Sequence, residues 1–333
     1  MFSGMKIVIT GATGFLGFNT ARWLKNRGHE VTGLGRNLIR GKRLEDLGLS
    51  FIPCTLAQTS LYSEVLSGAD AVVHCAALSA PWGSPDIFHA ANVHGTQCIL
   101  DESRKQKVPR FIHISSPSIY FRFEDALGID EATPLKPPFA SLYSATKFAA
   151  EEVVDAAGDD IFCVTLRPRG IFGPGDETLL PRLIRVAKKR GLPRIGEGKN
   201  IIDLTYVDNV SHAIELCLEA AEHCRGQKYN ITNGDPVELW PFLDTLFTRL
   251  GLPISTKSLS YKRADFLARL LEFSYSTFAL KGEPALTRYT VGLLAKSQTL
   301  SISRARSDLN YEPLIGMQEG LERAILWLQE NNS

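Results

Sequence analysis

A tyrosine and a lysine four residues apart form the segment of this sequence with the clearest chemistry. Tyr143 and Lys147 stand at the two ends of Tyr-Ser-Ala-Thr-Lys, and a helix would place both side chains on one face. A free phenol has a pKa near ~10 and is a weak base at neutral pH, but a nearby ammonium favours the phenolate. The pair therefore predicts proton transfer by Tyr143, although by itself this spacing is also typical of a surface pair.

Two serines upstream could hold the oxygen of a substrate. Ser115 and Ser116 follow directly after Arg110–Ile114, which is predicted to be a strand. Ligands of open α/β sheets bind at the carboxyl ends of the strands, where a hydroxyl can position a carbonyl or alcohol oxygen for hydride transfer. No Gly-x-Ser-x-Gly segment surrounds these serines, so a serine hydrolase is not indicated.

A glycine-rich turn near the N-terminus predicts a dinucleotide site. Residues 10–17 read Thr-Gly-Ala-Thr-Gly-Phe-Leu-Gly, between a predicted strand and a predicted helix. Glycines at this spacing let the backbone turn tightly and approach a pyrophosphate, while the helix N-terminus supplies N–H donors. The residues expected to hold the cofactor here are Gly11, Thr13, Gly14, Phe15, Leu16 and Gly17.

The end of the second predicted strand bears on the choice between NAD and NADP. Arg36 stands where an NAD-binding protein usually has an acidic residue for the ribose 2′-hydroxyl, and Arg40, Lys42 and Arg43 follow it. Guanidinium and ammonium groups suit a 2′-phosphate, whereas a solvated basic loop is the alternative interpretation. We expect NADP(H) as the favoured cofactor, with NAD(H) as the alternative.

These residues need a scaffold in which strands and helices alternate, as the first half of the chain does. Helical patterns cover about 15–27, 87–105 and 144–157, and the predicted strands are Lys6–Thr10, Glu30–Leu34, Ser50–Pro53, Ala71–Cys75, Arg110–Ile114 and Ile161–Leu166. The pattern predicts the α/β class, with a doubly wound parallel sheet and a smaller, mainly helical unit over its carboxyl edge. We expect residues 1–170 and about 200–232 in the nucleotide-binding domain, and about 171–199 and 233–333 in the substrate-binding domain.

Composition excludes several classes of function. The 333 residues include 37 Lys+Arg and 36 Asp+Glu, so a net charge of +1 does not favour nucleic acid as a partner. The histidines and six cysteines form no metal-ligand spacing, and we expect no metal. No apolar segment is long enough to cross a membrane, and the thiols fit a reducing compartment, so we expect a cytoplasmic protein.

With these motifs in this order, the chain resembles the extended short-chain dehydrogenase/reductases of the NAD-dependent epimerase/dehydratase family. The resemblance implies a Rossmann fold, Tyr143 as general acid/base, Lys147 as the ribose ligand that lowers the tyrosine pKa, and Ser116 as the group that orients the substrate. It also implies that Asn92 helps organise a proton relay. Further residues implied beside the cofactor are Ala76, Ala77, Ser115, Pro168 and Ile171.

Two positions depart from the pattern of nucleotide-sugar enzymes in this family. Gly170 stands where those enzymes typically have an asparagine, and Ile202 where they have an arginine for the diphosphate. Other segments resemble the 3β-hydroxysteroid dehydrogenase branch. That likeness implies an NAD(P)-dependent oxidoreductase that interconverts a secondary alcohol and a ketone on a small hydrophobic substrate, sterol-like or a 2-alkyl-3-oxo acid. An epimerase or dehydratase without net cofactor consumption is the alternative, and a non-enzymatic nucleotide sensor is a weaker one.

Several residues are candidates for the substrate end of the site. Trp82, Ser116, Arg169 and Tyr206 come from loops expected near the nicotinamide, and Arg169 would suit a substrate carboxylate. The apolar stretch 266–280 has three open interpretations: a helix buried against the second unit, a pocket lid, or a peripheral membrane contact. The resemblance also implies a homodimer.

Overall fold

Seven parallel strands form the main sheet of the computed structural model. The structure describes residues 4–254, 257–278 and 280–331, with residues 189 and 190 described by backbone alone. In chain order the strands of the described residues, β1 to β15, are Lys6–Thr10, Glu30–Gly35, Ser50–Pro53, Ala71–His74, Arg110–Ile114, Ala126–Ile129, Phe162–Pro168, Ile171–Phe172, Arg194–Ile195, Ile201–Ile202, Thr205–Tyr206, Lys228–Ile231, Val237–Glu238, Ser258–Leu259 and Gln298–Leu300. The main sheet has the order β12-β7-β5-β4-β1-β2-β3. The predicted doubly wound parallel sheet is therefore confirmed.

Helices connect these strands. In chain order the α-helices of the described residues, α1 to α13, are Phe15–Asn26, Leu38–Asp46, Ser63–Leu66, Pro85–His89, Gly95–Lys105, Leu142–Asp155, Leu180–Arg190, Val207–Leu218, Leu239–Arg249, Tyr261–Thr277, Arg288–Ala295, Ser303–Leu309 and Met317–Asn331. One π-helical turn, Ala90–His94, joins α4 to α5. Such turns occur frequently at functional sites, and this one carries Asn92.

The central strands are apolar because both faces of the sheet are covered. Val72, Ile112 and Val164 lie on adjacent strands and are completely buried. Parallel strands covered on both faces read as nearly continuous apolar runs, which is why the sequence identified them. The carboxyl ends of β1, β4, β5 and β7 consequently meet at one edge, where the predicted site residues follow each strand.

A second hydrophobic core lies on the C-terminal side of the chain. It packs Phe172, Trp240 and Leu243 with residues of α7, α10 and α13. A four-stranded sheet of order β13-β10-β15-β6 accompanies it, so this unit is less helical than expected. The stretch from Ile302 to Tyr311 was expected in the second unit, but it packs into the core of the main sheet.

Within 4–254, 257–278 and 280–331, none of the helices combines the length and the apolar character that a bilayer span requires.

Candidate active site

The glycine turn leaves room and hydrogen-bond donors for a dinucleotide. Gly11 has a φ of +67°, and a Cβ atom there would lie 2.8 Å from the backbone nitrogen of Ala76. Helix α1 begins after Gly14, where no side chain caps the first turn. The N–H groups of that turn are therefore available to a pyrophosphate, and the residues present fit a nicotinamide dinucleotide.

A buried chain of hydrogen bonds fixes the loop after β4 against this turn. Thr96 donates its hydroxyl to the carbonyl of Asn92 at 2.6 Å, so it can accept from His74 Nε2, 2.9 Å away. Burial lowers the pKa of His74 to about 3, and the neutral ring then accepts from the Thr10 hydroxyl at 2.7 Å through Nδ1. Thr10 Oγ1 in turn accepts from the N–H of Ala76 at 3.2 Å. The chain holds Ala76 at the distance that Gly11 requires.

Asn92 links the loop after β4 to the helix that carries the catalytic pair. Its side chain accepts from the N–H of Leu78 at 2.6 Å and donates to the carbonyl of Leu78 at 3.2 Å. Its amide also donates to Thr146 Oγ1 at 3.0 Å, within α6. Asn92 thus acts in this structure as a positioning residue between two walls of the site.

The phenol of Tyr143 lies beside two serine hydroxyls. Burial raises the pKa of Tyr143, while hydrogen bonding to Ser116 and Ser79 opposes that rise. Ser79 was missed in the sequence, because the only signal was its place five residues after β4, in a loop without a motif. At neutral pH the phenol is therefore protonated and held among hydroxyl groups.

The hydroxyl of Ser116 is oriented by the backbone. Ser116 Oγ accepts from the N–H of Ser118 at 3.2 Å, as the cap of a short 3₁₀ turn. Its own proton is thus free to be donated to Tyr143 or to a substrate oxygen. The neighbouring Ser115 Oγ is buried and has no hydrogen-bond partner within the described part of the chain, so it is available to a ligand.

Lys147 lies one helical turn after Tyr143 and is almost completely buried. Its Nζ donates to the carbonyl of Ile114 at 2.7 Å. Burial lowers the pKa of Lys147 to about 8, while the negative charge of Glu151 opposes that shift. Lys147 does not contribute to the shift of the Tyr143 pKa, which burial and the two serine hydroxyls set, so the implied lowering of that pKa by Lys147 stays a prediction.

Two arginines at the end of β7 have opposite surroundings. Arg167 is buried and pairs with Glu151 through two hydrogen bonds, of 2.9 Å from Nε and 2.5 Å from Nη2, and it also contacts the Tyr120 hydroxyl. Arg169 has a buried Nε atom without a partner, and no ion pair is formed by its guanidinium among the described residues. Arg167 is therefore structural, whereas Arg169 is available to a ligand.

Two residues that sequence reasoning missed face Arg169. The carboxylate of Asp203 and the phenol of Tyr289 both oppose the fall in the Arg169 pKa that burial causes. The phenol of Tyr289, whose pKa burial raises to about 12, also interacts with Tyr143. Tyr289 is therefore close enough to interact electrostatically with both Arg169 and Tyr143, although the three residues are up to 146 positions apart in the chain.

The structure separates the remaining predicted substrate residues. Trp82 packs edge-on against Tyr275 of α10, with ring centroids 6.4 Å apart. Tyr206 is buried in the second core against Phe172, and its backbone N–H donates to Asn233. The expectation that Tyr206 faces the substrate is thus not met, because its ring fills the space beside Gly320 instead.

The predicted cofactor residues lie along the carboxyl edge. Thr13, Gly14 and Phe15 line a cavity of about 100 Å³ together with Arg40, whose Nη1 donates to the Thr13 carbonyl at 3.4 Å. Leu16 and Gly17 belong to the first turn of α1, and Ala77 follows Ala76 in the loop after β4. Pro168 ends β7 and Ile171 begins β8. Within the described residues, no three metal-ligating side chains form a cluster.

Both departures from the nucleotide-sugar pattern have structural reasons. Gly170 has a φ of +52°, and a Cβ atom there would meet a methyl carbon of Leu204 at 2.7 Å. Ile202 is buried in the second core. Neither position offers a donor to a diphosphate.

Known proteins resemble this chain over its whole length. The model of the NAD dependent epimerase/dehydratase family matches residues 7–232. A 2-alkyl-3-oxoalkanoate reductase of Stenotrophomonas maltophilia is 37% identical over 326 residues, which cover 96% of this chain and 98% of that protein. A decarboxylating sterol-4-alpha-carboxylate 3-dehydrogenase of Mus musculus is 30% identical over 333 residues, with 96% and 90% covered.

A solved structure shares the fold. A UDP-glucuronic acid 4-epimerase from Bacillus cereus in complex with NAD has a TM-score of 0.77 and 23% identity, and the match covers 99% of this chain and 100% of that one. Such identity shows a common architecture and leaves the reaction to be argued from the site.

Proposed function

Because the chain belongs to the NAD-dependent epimerase/dehydratase family and is an NAD(P)-dependent oxidoreductase, we propose that it interconverts a secondary alcohol and a ketone on a hydrophobic 3-oxo or 3-hydroxy acid. The observation that carries this proposal is the phenol of Tyr143 between the hydroxyls of Ser116 and Ser79. Tyr289, which interacts with Tyr143, also interacts with Arg169, an arginine without an ion pair among the described residues. With the pyrophosphate of a nicotinamide dinucleotide on the glycine turn, the nicotinamide ring would supply or accept the hydride.

The protein side chains handle the oxygen and its proton. In the direction of reduction, Ser116 donates a hydrogen bond to the ketone oxygen, and Tyr143 gives its proton to the same oxygen as the alcohol forms. The raised pKa of Tyr143 suits this role, since the phenol is protonated at neutral pH. In the reverse direction, the charge of Lys147 favours the phenolate that accepts the proton.

Arg169 supports a substrate with a carboxylate next to the reacting carbon. Arg169 is half-buried and its Nε atom has no partner in the described part of the chain, and Asp203, which faces it, forms no ion pair with it. The guanidinium therefore keeps donors for a ligand, and an arginine binds a carboxylate through two parallel hydrogen bonds. The names of both relatives above describe a carboxylate on the carbon beside the reacting one. In this proposal Arg169 binds that carboxylate, and Tyr143 and Ser116 hold the neighbouring oxygen.

A pair of substrates that differ only in charge tests this assignment. We expect Arg169→Met to raise KM for a 2-alkyl-3-hydroxy acid by roughly 10- to 100-fold, the worth of a charge-assisted hydrogen bond. The methyl ester of the same acid should react equally well with both proteins, and Arg169→Lys should partly restore the acid. Equal losses on acid and ester would contradict the role of Arg169 and leave the oxidoreductase proposal standing.

For the cofactor we propose a preference for NADP(H). Arg36 is exposed at the end of β2, and no acidic side chain in the described part of the chain pairs with it. Arg40 bridges the Thr13 carbonyl and Glu177 on the opposite side of the turn. We expect Arg36→Ala to raise KM for NADPH at least ~10-fold and leave KM for NADH unchanged, because only NADPH carries the 2′-phosphate.

The first experiment follows nicotinamide absorbance with NADPH and, separately, NADH in the presence of a 2-alkyl-3-oxo acid, a 3-oxosteroid or a UDP-sugar. Net oxidation with either hydrophobic ketone would support the proposed reaction. Conversion of the UDP-sugar without a change in absorbance would favour an epimerase instead. The buried Ile202 and the conformation of Gly170 weigh against that alternative.

A further inference from the structure

Helix α10 exposes its large apolar side chains and buries small ones, the reverse of what is usual for a helix packed on a protein core. Its buried residues are Ala264 and Ala268, whereas Phe266 is 60% exposed and Phe273 is 67% exposed. Large apolar groups normally point inward, and a contiguous exposed set of them marks an interaction surface. We name this surface the apolar ridge; it consists of Phe266, Leu267, Leu270, Phe273, Phe278 and Leu280.

Of the three interpretations of 266–280, a helix buried against the second unit does not fit most of its apolar side chains. The exposed fractions of the ridge residues lie between 45% and 71%. Ala279 lies outside the described residues. The helix is anchored through its other face, so the ridge itself contributes little to folding.

The borders of the apolar ridge carry positive charge. Lys262, Arg263 and Lys281 form no ion pair with any acidic residue that the structure describes. The nearby Asp265 is already paired with Arg269, at 2.7 Å, and with Arg288, at 3.0 Å. A row of aromatic and aliphatic groups bordered by free basic groups is the pattern of a helix that lies in the interface of an anionic membrane.

The inner face of the same helix forms part of the cover of the active site. Tyr275 packs on Trp82, three residues after Ser79 in the loop that follows β4. Glu272 accepts from the N–H of Arg288 at 2.7 Å, directly before Tyr289. One helix therefore contacts Trp82 and the backbone of Arg288 on its inner side and presents the apolar ridge on its outer side.

We propose that the apolar ridge docks on an anionic phospholipid bilayer, with the phenylalanines among the upper acyl chains and the basic border on the headgroups. Helix α10 then lies between the Trp82 loop and the lipid phase in which a hydrophobic substrate dissolves. A second copy of the chain fits this surface less well, because a two-fold contact would bring Lys262, Arg263 and Lys281 of both copies together. The docking itself does not depend on the proposed function, which supplies only its purpose.

Vesicle co-sedimentation of the full chain without substrate tests the docking. We expect binding to phosphatidylglycerol-containing vesicles, weaker binding to phosphatidylcholine alone, and weakening by salt. The double variant Phe266→Ser/Phe273→Ser should lose at least ~10-fold in partitioning, as should Lys262→Gln/Arg263→Gln on anionic vesicles. The matched control Leu61→Ser/Leu326→Ser removes two leucines that are 48% and 54% exposed elsewhere, and it should bind as the wild type does.

Other outcomes would overturn the proposal. They are equal binding by the wild type and the ridge variant, binding that does not respond to lipid charge, and a concentration-dependent dimer that the ridge variant abolishes while vesicle binding is absent. Turnover of a short, water-soluble substrate should be the same in the ridge variant and the wild type. That measurement separates a failure of docking from a failure of the proposed function.

Discussion

The network around Asn92 and His74 and the surroundings of Arg169 differ in how completely their polar groups are bonded. On the nucleotide side, Asn92 bonds to both Leu78 and Thr146, and His74 bonds to both Thr10 and Thr96. On the substrate side, Arg169 has a buried nitrogen without a partner. Buried polar groups are normally hydrogen-bonded, so the unbonded ones indicate where a ligand is expected.

The difference indicates that one region of the site is held rigid by hydrogen bonds and another is left to bind the substrate. The hydrogen bonds of Asn92 hold the loop after β4 against α6, the helix that carries Tyr143 and Lys147, whether or not a ligand is present. On the substrate side, the unpaired polar groups gain hydrogen bonds only when a ligand binds, and those bonds add to the binding free energy. Variants that remove a bonded group should therefore reduce stability, and those that remove an unbonded group should reduce binding or turnover.

The largest effect is expected at the proton-transfer group. Tyr143→Phe should lower kcat roughly 10²- to 10⁴-fold, because it removes the general acid without removing the ring. Binding of NADPH, followed by fluorescence, should remain. The control is Tyr120→Phe, which should keep its kcat. The Tyr120 hydroxyl donates to Asn230 Oδ1 at 3.1 Å and has no proposed part in the reaction. A Tyr143→Phe protein with full turnover would remove the catalytic assignment.

The two arginines of the β7 end compare bonded with unbonded groups directly. Arg167→Met should lower the free energy of unfolding by about 3 to 5 kcal/mol, since it leaves Glu151 buried without its partner. Arg169→Met removes no ion pair and should change stability by less than ~1 kcal/mol. Urea denaturation measures both. Equal losses of stability would show that Arg169 has a structural role that its contacts do not reveal.

The contribution of Lys147 to the free energy of unfolding depends on pH. Its pKa is lowered to about 8 in the folded chain from 10.5, so between these values the unfolded chain holds a proton that the folded chain has lost. The free energy of unfolding contributed by this group therefore rises with pH in that window. Relative to Lys147→Met, the wild type should gain about 2 to 3 kcal/mol between about pH 7.5 and about pH 10, as measured by urea denaturation. A constant difference would contradict the lowered pKa.

The smallest effect is expected at Ser79. Its hydroxyl shares Tyr143 with Ser116, so Ser79→Ala should lower kcat only about 5- to 10-fold, the worth of one neutral hydrogen bond. Ser116→Ala should lower kcat further, because Ser116 also holds the substrate oxygen. Steady-state kinetics with one substrate ranks the two. A larger fall in kcat for Ser79→Ala than for Ser116→Ala would indicate that Ser79, in the loop after β4, is the residue that orients the substrate.

Much of the fold was predictable from local pattern. The strands of the main sheet are short apolar runs because helices cover both faces, and the predicted bounds of β1, β3 and β5 agree with the structure. The π-helical turn at Ala90–His94 was not predictable, since the sequence there continues a helical pattern. The return of Ile302 to Tyr311 to the main core was also missed, because a buried apolar segment does not indicate which core it joins.

The sequence by itself determined the groups whose function depends on neighbours in the chain. The glycine turn works through the conformations of its own residues, and Tyr143 and Lys147 share a face because a helix repeats every 3.6 residues. Only the tertiary structure decided which polar groups have partners. Arg167 meets Glu151, whereas Arg169 meets Tyr289 from 120 residues further along. Exposure of the apolar ridge was decided in the same way, because burial depends on what packs against a helix and not on the helix alone.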